Sequence, residues 1–101
     1  MAEEAVLQEK ILQDLRSFGK YVTTFKIHKT SDVGIPDVFF SSKLTGAVFV
    51  EVKRKGEVPS PVQRKKIKDL NRSGCQAFYC DSWEVWVDLK AYLKLSLDSV
   101  I

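Results

Sequence analysis

GIPDVFFSSKLTGAVFVEVKRKG, residues 34–56, decides the fold. The stretch is mostly apolar and aromatic, yet it carries Asp37, Glu51 and Lys53. Charged groups are costly to bury unless they are paired or hold a metal. VFF and AVFVEV read as two strands joined by SSKLTG. A hairpin over 36–41 and 47–53 that turns near Leu44 puts Asp37 opposite Glu51. Side chains alternate along a strand, so Glu51 and Lys53 share a face with Ala47 and Phe49, while Val48, Val50 and Val52 fill the other. Directly opposed Cβ atoms lie roughly 4.5–5.5 Å apart. Two carboxylates at that distance repel, and in a desolvated setting one must take a proton. A divalent cation resolves the conflict, and magnesium needs only one or two protein carboxylates. The inference depends on register, because a slip of one residue turns one acid to the wrong face.

Around this hairpin the chain reads as helix, strand, strand, strand, helix, strand, helix. Leu7, Ile11, Leu15 and Phe18 form one stripe of a helix over 3–18, with Gly19 as its stop. YVTTFKIH (21–28) is rich in β-branched and aromatic residues and is predicted as a strand. GEVPSP breaks the chain, and Pro61 suits the first turn of a helix that runs to Ser73 and ends at Gly74. CQAFYC is a short strand. Asp81 and Glu84 form a capping box for a last helix, although SWEVWV also alternates as a strand would. The prediction is an α/β fold, a central mixed sheet flanked by helices, in one domain over 1–101.

The 101 residues suffice for one core, and 45% hydrophobic with 29% charged residues describes a globular chain. No apolar run is long enough for a bilayer, and MAEEAVLQEK is too acidic for a signal peptide. The expected setting is cytoplasmic, with no membrane partner. Cys75 and Cys80 are the only cysteines and His28 the only histidine, too few for a disulfide framework or a zinc site. Both thiols are expected in the core. His28 is taken as a strand-end residue rather than a base.

The net charge is only +3, but residues 53–72 hold Lys53, Arg54, Lys55, Arg64, Lys65, Lys66, Lys68 and Arg72 against Glu57 and Asp69. The rest of the chain is therefore net acidic. Such a block suits a phosphate backbone, and it equally suits an ordinary solvated helix face. On the first helix the apolar stripe is centred near Glu4, and Gln8 points the same way, while Glu9 points away. Glu4 either joins a site or sits in a frayed first turn favoured by the helix dipole. On the second helix Ile67, Leu70 and Gly74 mark the inner face, Gln63 lies near its middle, and Lys65, Lys68 and Arg72 lie opposite. A buried amide needs partners, supplied by a site or by backbone.

The set Glu4-x-x-Leu7-Gln8, Gly34-Ile35-Pro36-Asp37, Glu51-Val52-Lys53 and Gln63, with Gly74 closing the helix, resembles the PD-(D/E)xK nucleases. Within them it is most similar to the virus-type replication-repair nuclease (VRR-NUC) domain, of the stand-alone phage or bacterial type. The resemblance covers most of the chain. It implies that Asp37 and Glu51 bind Mg²⁺ or Mn²⁺ with the backbone carbonyl of Val52, and that Glu4 binds metal directly or through water. It implies that Lys53 orients or activates the attacking water, and that Gln63 supports Lys53 or the water. Gln8 is a supporting residue. Arg54, Lys55, Arg64, Lys65, Lys68 and Arg72 would contact DNA.

The resemblance further implies a homodimer that cuts branched DNA such as four-way (Holliday) junctions, in replication, recombination or repair. The segment DSWEVWVDLKAYLKLSL is apolar nearly all round as a helix, so it either packs in its own core or meets a second copy. Two other readings stand beside this one. One is a catalytically silent nucleic-acid-binding module; the other is a restriction-like or single-strand nuclease of the same superfamily.

Overall fold

Alternating apolar residues in the 34–56 stretch build the centre of the molecule as expected. The computed structural model describes residues 3–28 and 32–101. In chain order the elements are α1 (Glu3–Arg16), a 3₁₀ turn (Gly19–Tyr21), β1 (Thr23–Lys26), β2 (Val38–Ser42), β3 (Gly46–Val52), α2 (Pro61–Arg72), β4 (Gln76–Cys80), α3 (Trp83–Leu93) and α4 (Leu97–Val100). The strands form one sheet in the order β1-β2-β3-β4. β1, β2 and β3 are antiparallel, and β4 returns through α2 to lie parallel to β3. The sheet is therefore mixed and the fold α/β, as the sequence predicts. Among the described residues no helix is long and apolar enough to cross a membrane.

The hairpin register is the predicted one. Val38 faces Val50, Phe39 faces Phe49 and Ser42 faces Gly46, so the turn is centred on Leu44. Val38, Phe40, Val48, Val50 and Val52 are buried together with Leu7, Ile11 and Leu15 of α1 and Trp86, Leu89 and Leu93 of α3. The Phe40 ring meets Trp86 edge-on. Burying each such side chain contributes about 1.5–3 kcal/mol. The other sheet face carries Phe25 stacked on Phe39 and Phe39 against Phe49. Along β4, α2 is pinned by Asn71, whose side chain accepts from Ala77 N and donates to Ala77 O.

Several boundaries differ from expectation for local reasons. The strand predicted over 21–28 covers only Thr23–Lys26, because Gly19–Tyr21 winds into a 3₁₀ turn. α1 stops at Arg16, two residues short of Phe18. α2 stops at Arg72, with Ser73 as its C-cap, so Gly74 lies beyond the helix rather than on its inner face. The capping box predicted for Asp81 and Glu84 does not form. Ser82 is the cap and accepts from Val85 N, while Asp81 accepts from Gly56 N and closes the loop after β3. Segment 83–93 is a helix, not a strand, and its C-cap is Lys94, whose φ of 56° is left-handed. Leu95 therefore lies past the helix, where Leu95 N donates to Lys90 O. Trp86, Leu89 and Leu93 face the core, and Val85, Val87 and Tyr92 stay exposed. Cys80 is buried as expected, but Cys75 is only half-buried.

Asp14 ties α1 to α3. Its carboxylate accepts from Trp86 Nε1 and from Lys90 Nζ, both at 2.7 Å. Trp86 is fully buried, so without Asp14 its N–H has no partner. Leaving a buried donor unsatisfied costs about 1–3 kcal/mol. Asp14→Ala is expected to lower the unfolding free energy by about that amount in urea titration, and Asp14→Asn by less. An unchanged midpoint in Asp14→Ala would show that the bond contributes nothing.

Candidate active site

Two carboxylates meet at the open end of the hairpin because its register puts them there. Asp37 immediately precedes β2, and Glu51 is the second-last residue of β3. Val52 N donates to Asp37 Oδ2 at 2.8 Å, which fastens the aspartate across the hairpin. Asp37 O accepts from Ile27 N at 2.7 Å, so the ladder to the first strand continues past Lys26. Both acids line a cleft of about 320 Å³ between the end of β1, the 32–35 loop and the start of α2.

Glu51 is the anomaly of the structure. It is 3% exposed, and its Oε2 is buried with no hydrogen-bond partner among the described residues. Burial, then proton sharing with Asp37 and the negative charge of Asp37, push its carboxyl from an ordinary 4.5 to about 9. Lys53 pulls in the opposite direction and Glu4 adds to the rise, both more weakly. A buried acid in this setting is held by a proton or by a cation.

The remaining predicted residues surround this pair unevenly. Glu4 and Gln8 line a second opening together with Lys26, His28 and Asp37, so the predicted helix phase is the observed one. Glu9 points to solvent and pairs with Arg16 and Gln13. Gln63 lines the main cleft. Its amide also completes a capping box, with Oε1 accepting from Ser60 N and Gln63 N donating to Ser60 Oγ. Of the two partners expected for this amide, the backbone one is present, and the residue also lines the cleft. The signal for the cap was the Ser60-x-x-Gln63 spacing.

Gly34 brings the 32–35 loop against α2. Its φ is +86°, and a Cβ there would lie 2.8 Å from Val62 O, so only glycine permits this approach. His28 stands just past the first strand as predicted, but it lines both openings beside Asp37.

Lys53 departs from its predicted place. It lies one residue beyond β3, and its side chain lines a different cleft from Glu51. There Lys53 Nζ is 3.8 Å from Glu57 and largely shielded from solvent. Its charge still reaches Glu51.

The basic residues form an exposed surface, several of them engaged locally. Arg54 pairs with Glu57, Lys65 and Arg72 pair with Asp69, and Arg64 donates to Pro59 O. Among the described residues Lys55 and Lys68 have no ion-pair partner.

The donor chemistry fits a hard divalent cation. Among the described residues no three His, Cys, Asp or Glu side chains form a ready metal cluster. Asp37 and Glu51 nevertheless offer two converging carboxyls, one with an unpartnered buried oxygen. Two carboxylates completed by water satisfy magnesium or manganese.

Comparison with known proteins agrees with this fold. The VRR-NUC domain profile matches residues 2–84. No curated protein matches the chain. A solved structure titled "VRR_NUC domain" superposes with a TM-score of 0.76 at 22% identity, covering 91% of this chain and 97% of that chain. Another, titled "VRR_NUC domain protein", gives a TM-score of 0.67 at 17% identity, covering 92% of this chain and 89% of the other. The chain belongs to the VRR-NUC domain family, a branch of the nuclease superfamily.

The raised Glu51 carboxyl gives a signed pH prediction for metal-free protein. The folded state holds a proton that the unfolded state releases above its ordinary 4.5. Stability from this group is complete below that value and is lost as pH rises towards about 9. The melting temperature in EDTA should therefore fall from pH 5 to pH 9. In Glu51→Gln that part of the slope should vanish, with a higher melting temperature at the alkaline end. Identical slopes in the two proteins would show that Glu51 is ionised without metal.

Proposed function

We propose that this chain is a divalent-metal-dependent endodeoxyribonuclease that hydrolyses phosphodiester bonds in branched DNA, such as four-way junctions, as a homodimer. The observation that carries the proposal is the unpartnered buried oxygen of Glu51 beside Asp37 at the floor of a cleft. A buried carboxylate is costly unless a proton or a cation neutralises it, and two acids converging at one cleft favour the cation. Asp37, Glu51 and the backbone carbonyl of Val52 would hold Mg²⁺ or Mn²⁺, with Glu4 at its edge. When bound, the ion supplies Lewis-acid polarisation of the phosphate and lowers the pKa of water.

The protein's own groups do the positioning. Asp37 is held by Val52 N, so its orientation is set before substrate arrives. Lys53 exchanges Glu57 for the scissile phosphate and offsets the negative charge that develops on it. Among the described residues Gln63 Nε2 has no partner, so it is available to donate into the cleft while Oε1 is bound to Ser60 N. Arg54, Lys55, Arg64, Lys65, Lys68 and Arg72 take the DNA backbone, which fixes position without reading bases. The homodimer reading is supported by the exposed Val87 and Tyr92 on α3, a helix whose other side is already buried. Two sites per dimer would match the paired strands of a junction.

A cleavage panel with Mg²⁺ and Mn²⁺ on linear, flapped and four-way DNA tests the reading. Asp37→Asn, Glu51→Gln and Lys53→Ala should each lose at least about a hundredfold in rate while keeping fold and DNA affinity. Glu4→Gln should be impaired and Glu9→Gln active. Full activity of Asp37→Asn or Glu51→Gln would remove the pair from the chemistry. A wild-type protein that binds DNA and metal but cuts nothing would be the silent module.

Affinity should fall steeply with salt. Replacing Lys65 and Lys68 together should weaken all substrates alike and flatten the salt slope by roughly one unit per contact. A salt slope that stays put would place the DNA elsewhere. In sedimentation, Val87→Glu with Tyr92→Glu should turn a micromolar dimer into a monomer that no longer makes paired cuts. Paired cuts by a monomer would defeat the dimer reading.

A further inference from the structure

A second cleft, of about 370 Å³, lies beside the catalytic one. The first turns of α1 divide it from the opening beside Asp37, with Glu4 and Gln8 lining that opening and Val6 and Lys10 lining this cleft. Lys10, Lys53, Arg54 and Lys55 line this cleft around a single aromatic side chain, Trp83. Its acids are Glu3 and Asp81, and Asp81 is occupied by Gly56 N.

We propose that this cleft takes an unpaired nucleotide next to the scissile phosphate, with its base stacked on Trp83 and its phosphate met by Lys10, Arg54 and Lys55. The inference rests on the nuclease reading of the neighbouring site and names the feature of the substrate that site prefers. Lys53 is the link. It lies two residues from Glu51 in sequence and its charge acts on Glu51, yet its side chain lines this cleft. A strand whose phosphate sits between Glu51 and Lys53 therefore continues into the cleft.

Trp83 is built as a platform. It occupies the first position of α3, half-buried, with its back packed on the core. Lys10 Nζ lies 4.8 Å and Lys90 Nζ 6.0 Å from its ring centroid, so a base that stacks on the open face displaces the Lys10 ammonium, which is then free to meet the nucleotide's phosphate. An aromatic surface ringed by cations is the arrangement that binds single strands, because every base offers a face to stack. A base inside a duplex has both faces covered by its neighbours. Only an unpaired base, as beside a branch point, can reach the ring. Trp86, three residues on, cannot serve, since it is fully buried with its N–H bound to Asp14.

These two tryptophans are the only ones in the chain, which makes the test direct. A short oligothymidylate titrated into wild-type protein in EDTA should quench the fluorescence of Trp83 to a saturating level, with Trp86 unresponsive. Anisotropy of the labelled oligonucleotide should show about tenfold weaker binding for Trp83→Ala and near-normal binding for Trp83→Phe. Trp83→Leu keeps apolar packing without a ring, and it must show the same loss if Trp83→Ala fails to fold. On fully paired linear duplex the binding of all variants should match wild type.

Absence of quenching, or unaltered oligonucleotide binding in Trp83→Ala or Trp83→Leu, overturns the inference whether or not the protein cuts DNA. Asp37→Asn separates the two readings, because it should quench like wild type while cutting nothing. Quenching without any metal-dependent cleavage in wild type would sink the nuclease reading and leave the stacking cleft standing.

Discussion

The hydrogen bond from Val52 N to Asp37 Oδ2 is the constraint on which the site depends. It joins the entry of one strand to the exit of its partner, and it exists only in one register. In that register Val38, Phe40, Val48, Val50 and Val52 all turn to the core. Asp37 and Glu51 then fall together on the opposite face, beyond the last pair of valines. Core packing and site assembly are thus one decision. A slip of one residue would expose the valines and separate the acids. The fold thereby holds Glu51 in a setting that its charge opposes, with an oxygen that no group of the described chain satisfies.

Much of this was legible because it is periodic. The alternation along AVFVEV and the symmetry of the turn around Leu44 specify which acids meet. In α1, four buried residues, Leu7, Ile11, Leu12 and Leu15, fix the phase and separate Glu4 from Glu9. The family resemblance rested on the same positions, and the matching profile shows it to be membership. What was not legible lies where periodicity stops. Lys53 lies just beyond β3, where its N–H still donates to Cys80 O, but its side chain turns towards Glu57, a contact that strand alternation does not reveal. Asp81 and Ser82 are both competent caps, and the choice between them is made by Gly56 N, far away in sequence.

The charges follow a related pattern. α2 buries no side chain completely, and its outer face is exposed throughout. Asn71 ties it to β4 through Ala77, and Gly34 of the 32–35 loop lies close to Val62. Its cations are not all equivalent. Asp69 occupies Lys65 and Arg72, so a polyanion must compete for them, whereas Lys68 is open. Exposed pairs of this kind are worth less than about 1 kcal/mol, and a phosphate can displace them. On the proposed function the surface would therefore be an adjustable phosphate track around carboxylates that are fixed.

Direct binding of Mn²⁺ to the purified protein, followed by titration calorimetry or by loss of the free-ion electron paramagnetic signal, tests the central claim without requiring a DNA substrate. The account predicts a bound ion per site, proton release on binding as Glu51 gives up its proton, and affinity that rises with pH. It also predicts that either Asp37→Asn or Glu51→Gln weakens binding by at least about tenfold. Binding of equal strength in wild type and both variants, or none at millimolar Mn²⁺, would contradict it.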